Sequence, residues 1–140
     1  MFHFIQWTWG LPQNILGLIL LPFFRGERYR YHSALVTVYR GMKKLTGGAG
    51  FSLGSFIFIP DSWSDYDKSH IVVHEYGHTV QSLILGPFYL FVVAVPSVIW
   101  SKMYSKHYKK YKSLGIAYTD RFPENSADRL GERATGDSVK

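Results

Sequence analysis

The chain has 140 residues, enough for one core and too few for two, with 46% apolar residues, 17% aromatics and a formal charge of +6. It contains no cysteine, which excludes disulfides and thiolate metal sites, so any metal must be held by imidazole and carboxylate. A mean hydropathy near zero excludes a chain that is mostly membrane, while ten Tyr, ten Phe and four Trp suit a protein that touches a lipid interface.

Residues 1–24 carry no Lys, Arg, Asp or Glu. Phe2, Phe4, Trp7 and Trp9 crowd the start, and the stretch from Leu11 to Phe24 is largely aliphatic. The length approaches that of a membrane span, but Gly10, Pro12 and Pro22 interrupt it and Gln13-Asn14 sit near its centre. The expectation is an N-terminal membrane anchor or interfacial helix. The missing basic n-region argues against a cleaved signal peptide. Arg25, Arg28 and Arg30 follow at once, and by the positive-inside tendency that end faces the cytoplasm.

The period then changes. Tyr31 to Tyr39 is rich in β-branched and aromatic residues, and Phe51 to Ile59 is a second such run, stopped by Pro60. Between them the glycines and lysines of Gly41 to Gly50 read as a loop, so residues 31–60 are expected to form an antiparallel β-hairpin with a long connection. Such an edge, with Ser52, Gly54 and Ser55, would let another backbone approach. Asp61 to Asp67 offers helix caps, and a helix is expected over residues 66–85.

That helix carries His74-Glu75-Tyr76-Gly77-His78. His74 and His78, four apart, stack on one helical face where both imidazoles can reach one ion, and Glu75 is placed to deprotonate a water that the ion activates. This is the H-E-x-x-H pattern of zinc hydrolases. His70 shares the face of His74 one turn earlier but falls outside the pattern.

Gly86-Pro87 should break the helix, and residues 86–104 form an apolar arm with no charge before Lys102. Lys102, Lys106, Lys109, Lys110 and Lys112 then alternate with Tyr104, Tyr108 and Tyr111. Lysine with tyrosine can mark single-stranded nucleic acid. Directly after an apolar segment it marks a headgroup contact, so the expected partners are membrane lipids and a peptide substrate, and no nucleic acid.

A zinc hydrolase needs a third protein ligand. Glu124 and Asp128, again four apart, fall in an expected helix over residues 122–131. Glu124 could close the ligand set, and Asp128 could accept the free ring N–H of a ligating histidine. If residues 82–100 crossed a bilayer once, Glu124 would finish on the opposite side from His74 and His78. The arm is therefore expected to turn back at Gly86-Pro87. His107, Tyr118 and Arg129 are the candidates for stabilising an oxyanion, and the tail after Gly131 is expected to fray.

His74-Glu75-Tyr76-Gly77-His78 followed by Glu124-Asn125-Ser126-Ala127-Asp128-Arg129 resembles the gluzincin metallopeptidases, above all the membrane-associated group of the CAAX prenyl proteases and their bacterial heat-shock relatives. The resemblance implies Zn2+ on His74, His78 and Glu124, a general base at Glu75, and a supporting role for Asp128. The expectation is a single α+β domain over residues 1–140, a minimal membrane-associated zinc metallopeptidase with its site facing the cytoplasm. Two alternatives remain. One is a non-catalytic zinc-binding membrane protein acting as an interaction or assembly factor, its site closed by a fourth ligand such as His70 or His107. The other is a basic lipid- or nucleic-acid-binding module in which the histidines are incidental.

Overall fold

Two hairpins, not one, build the sheet. In the computed structural model, which describes residues 1–46 and 48–140, β1 (Gly26–Tyr31) turns into β2 (Ala34–Tyr39), and β3 (Phe51–Leu53) turns into β4 (Phe56–Pro60). The order across the sheet is β1-β2-β4-β3. Both hairpins are antiparallel, but β2 and β4 run parallel, with Val36 opposite Ile57. The single hairpin expected over residues 31–60 is thereby corrected. Gly54, at φ +60°, reverses the chain inside the second run, so that its two halves pair with each other. The expected loop before it holds a short helix, α3 (Lys43–Thr46); Gly47 lies outside the described residues.

β4 is buried at every position, as a central strand covered on both faces must be. Ile57 and Ile59 join Ala34 and Val36 beneath Val72 and Tyr76 of the long helix α4 (Asp65–Leu85). Phe56 and Phe58 point the other way, into a cluster with Phe24 and Tyr39. Each Val, Ile and Phe among them contributes about 1.5–3 kcal/mol by its burial, so the sheet fixes α4 firmly.

α4 begins where expected. The Ser64 hydroxyl accepts from the Asp67 N–H at 3.1 Å, and Asp65 and Asp67 add negative charge to the first turn. It ends at Gly86, whose φ of +56° and contact with the Trp9 ring leave no room for a Cβ. Beyond Gly86-Pro87 the chain bends by 120° and continues through π-helical Leu90–Ala94 into α5 (Val95–Lys106) and α6 (Tyr108–Ser113). Among the described residues no single helix is long and apolar enough to cross a membrane. The N-terminal stretch is likewise two short helices, α1 (Phe2–Thr8) and α2 (Leu11–Leu20), broken at Gly10.

The last helix, α7 (Glu124–Thr135), lies directly against α4. Two glycines permit this contact. A Cβ on Gly77 would lie 1.8 Å from the Ala127 carbonyl oxygen, and one on Gly131 would lie 2.0 Å from the Val73 carbonyl oxygen. The tail does not fray after Gly131 as expected. α7 runs on to Thr135, the Tyr31 hydroxyl donates to Asp137, and the Val139 N–H donates to Glu132 at 3.1 Å.

Candidate metal centre

The close α4–α7 approach brings His74, His78 and Glu124 together. One ligand atom from each lies within 4.8 Å of the others, and all three residues are buried. Glu124 Oε2 is 2.9 Å from His74 Nε2 and 3.2 Å from His78 Nε2. The 120° bend beyond Gly86 lies on the path by which the chain comes back to set Glu124 beside His74 and His78.

The other ring nitrogens are held from behind. His74 Nδ1 lies 2.5 Å from Asp128 Oδ1, and a carboxylate can only accept, so Nδ1 carries the proton. For His78 the same conclusion comes through Gln81. The Gln81 amide nitrogen donates to the Pro123 carbonyl at 3.1 Å, which turns its oxygen toward His78 Nδ1 at 2.7 Å. With Nδ1 engaged from behind in both rings, Nε2 is the nitrogen each turns toward Glu124, the one that would meet a metal once its proton is displaced. Ser97 of α5 donates to the second oxygen of Glu124 and fixes its rotation.

The electrostatics follow from this packing. Burial alone would lower the pKa of His74, but hydrogen bonds to Asp128 and Glu124 outweigh it and push it up to about 10. Glu124 moves the opposite way: burial would raise it, yet the two histidines hold it well below the usual carboxylate range. Both directions express one fact, that this pocket stabilises positive charge facing Glu124. Glu75 is raised by burial, being only 4% exposed, with Oε2 lacking a hydrogen-bond partner among the described residues.

Beside the cluster is a cavity of about 490 Å³. It is lined by Glu75, His74, His78 and Glu124, by β3 from Phe51 to Leu53, and by Ser97, Ser101 and Tyr118. Of the three oxyanion candidates only Tyr118 lines this cavity; His107 borders a separate surface hollow among lysines, and Arg129 is exposed on α7. The Tyr118 side chain is stacked parallel to Trp100, which donates its ring N–H to the Tyr118 carbonyl at 2.8 Å. Burial raises the pKa of this hydroxyl and keeps it a donor. His70 is not among the gathered ligands, and its Nδ1 lies 2.6 Å from the Tyr66 carbonyl.

Gln81, Ser97 and Gly77 are the residues that sequence reasoning missed. Gln81 follows His78 by three positions, one helical turn, and that spacing was a usable signal. Ser97 had none, because its contact depends on the bend at Gly86. The place assigned to an approaching backbone at Gly54 is also taken: the Asn14 side chain of α2 fills it, accepting from the Ser55 N–H at 2.8 Å. Compared with known proteins, the chain matches no family model, no curated protein and no solved structure.

Proposed function

We propose that the protein is a membrane-associated zinc metallopeptidase of gluzincin type, hydrolysing peptide bonds with its site on the cytoplasmic side. The observation that carries the reading is the Glu75 carboxylate, buried, with one oxygen unpaired among the described residues, lining a cavity with His74, His78 and Glu124. Two imidazoles and one carboxylate are a donor set that suits zinc and leaves a coordination position for chemistry. Zinc bound there would polarise a carbonyl and lower the pKa of a water.

The remaining steps belong to the side chains. Glu75 takes a proton from the attacking water and returns it to the leaving amine. Tyr118 donates its hydroxyl hydrogen to the oxyanion that forms on the substrate carbonyl. Asp128, Gln81 and Ser97 keep the three ligands in register. β3 is an edge strand of the sheet and borders the cavity, so it suits pairing with an extended peptide. Arg25, Arg28 and Arg30, exposed on β1 and the turn before it, agree with a cytoplasmic site near anionic headgroups.

A closed structural zinc site would need a fourth protein ligand, and among the described residues the group that gathers here is His74, His78 and Glu124, without His70 or His107. The test is a peptide-library cleavage assay on zinc-loaded protein. Glu75→Gln should keep the metal and lose turnover by roughly 10²–10⁴-fold, the span typical of a removed general base. Full activity in Glu75→Gln would sink the assignment.

A further inference from the structure

The two N-terminal helices are inside out. Gln6, Gln13 and Asn14 are completely buried, while Phe4, Trp9, Ile15, Leu18 and Ile19 stand between 43% and 73% exposed. The buried amides are bonded: Gln6 donates to the Thr79 carbonyl at 3.1 Å, and Gln13 to Ser82 Oγ at 2.7 Å and the Gly86 carbonyl at 2.9 Å. In water a surface helix turns its apolar stripe to the core, and here the stripe is turned away from it. The same holds across the bend, where Phe88, Phe91, Val95, Val98 and Ile99 are half exposed or more.

These surfaces adjoin one another. Trp9 sits over Gly86, and Leu20, Phe24, Val98 and Lys102 border a common cavity between the end of α2 and α5. Both apolar stretches are uncharged, residues 1–24 and 82–101, and both end at exposed cations. Arg28 donates to the Leu21 carbonyl at 3.0 Å, which places a guanidinium at the edge of the apolar surface. Lys102 and Lys106 stand at the corresponding edge of α5.

We infer that the outer faces of α1, α2 and the 86–100 arm form one lipid-contact surface that enters a single leaflet and stops there. The occupant is a bilayer with anionic headgroups, and two facts on this surface select it. One is charge: apolar ground rimmed by Arg25, Arg28, Lys102 and Lys106 matches hydrocarbon bordered by negative headgroups. The other is length. α2 has ten residues, about 15 Å of helix, half of a hydrocarbon core of about 30 Å. The buried amides lower the cost of the inversion, since the amide nitrogens of Gln6, Gln13 and Asn14 all donate within the protein before lipid is met. This surface supplies the membrane contact assumed in the proposed function, but it makes no use of zinc or turnover.

The experiment therefore needs neither. The chain has no native cysteine, so single cysteines at Ile15, Ile19 and Val98, with Ser62 as control, can carry an environment-sensitive dye. Full-length protein is mixed with vesicles of phosphatidylcholine containing phosphatidylserine, some with brominated acyl chains. The first three dyes should shift to the blue and be quenched, the Ser62 dye should do neither, and no site should become accessible from the vesicle lumen. Ile15→Glu with Ile19→Glu alters exposed positions only and should abolish flotation while circular dichroism stays unchanged. Lys102→Gln with Lys106→Gln should weaken binding to the anionic vesicles roughly thirtyfold and binding to pure phosphatidylcholine little. Lumenal labelling would overturn the single-leaflet placement. A stable dimer that buries these dyes and ignores vesicles would overturn the lipid occupant, and if zinc-dependent cleavage persisted the proposed chemistry would survive that loss.

Discussion

α4 meets two polar seams, and they are built for opposite ends. Toward α7 it presents His74 and His78, whose Nε2 atoms converge on one carboxylate oxygen while Asp128 and Gln81 hold the rings from behind. Toward α1 and α2 it presents the Thr79 carbonyl and Ser82, and there the amides of Gln6 and Gln13 finish their hydrogen bonds locally. The first seam concentrates acceptors around a point that only a cation or a proton can satisfy. The second disperses donors and acceptors in pairs, with Gln13 Oε1 the buried amide atom left over among the described residues. A polar seam that is self-satisfied locates a helix; one that is not is available for chemistry.

The comparison breaks most sharply at Gly77. Valine there must push the Ala127 carbonyl away, so α7 moves off α4 and takes Glu124 and Asp128 with it. Gly77→Val should cost about 3 kcal/mol, lower the melting temperature by roughly 10 °C, and abolish metal binding. Differential scanning calorimetry beside metal analysis would show it; a variant with normal zinc content would mean that the close approach is not what assembles the site.

Tyr118→Phe probes the chemistry without disturbing the ligands. It should lower kcat by about 10²-fold with KM and zinc content nearly unchanged, since one oxyanion donor is lost. An unaltered kcat would return Tyr118 to the wall of the cavity as packing alone.

The groups behind the ligands should matter less, and alike. Asp128→Asn weakens the hydrogen bond to one ring N–H and Gln81→Ala removes the other, and a ~10–100-fold weaker zinc affinity is expected from competition titrations with a chelating dye. If only one of them responds, the two histidines are not equivalently held.

The mildest change lies in the second seam. Asn14→Ala removes the bonds to the Gln6 carbonyl and the Ser55 N–H, and should cost about 1–3 kcal/mol of stability. Zinc affinity should be unchanged. A parallel loss of metal would merge the two seams into one unit and contradict the division drawn here.

How much of this was legible beforehand follows the same division. His74, His78 and Glu75 could be placed because helical spacing alone puts them together, and Glu124 with Asp128 because the same spacing recurs. Gly77 looked like filler inside the motif, since nothing local reports that another helix will press on it. The strand error at Gly54 has a similar cause. A single glycine within an apolar run reads as a bulge or a close contact, and only the Asn14 side chain arriving from α2 shows that it is a turn. Gln13 and Asn14 were visible as an interruption of the apolar stretch. Their meaning, that the stretch faces outward, needed the burial pattern.

The account rests on one ion in one place, and metal analysis of purified protein tests that directly. After equilibration with zinc and removal of the excess, plasma mass spectrometry should find about one zinc per chain in the native protein. His78→Ala, with its helical content unchanged by circular dichroism, should hold close to none. Folded native protein without zinc, or His78→Ala holding as much as the native chain, would contradict the metal centre and the hydrolase built on it.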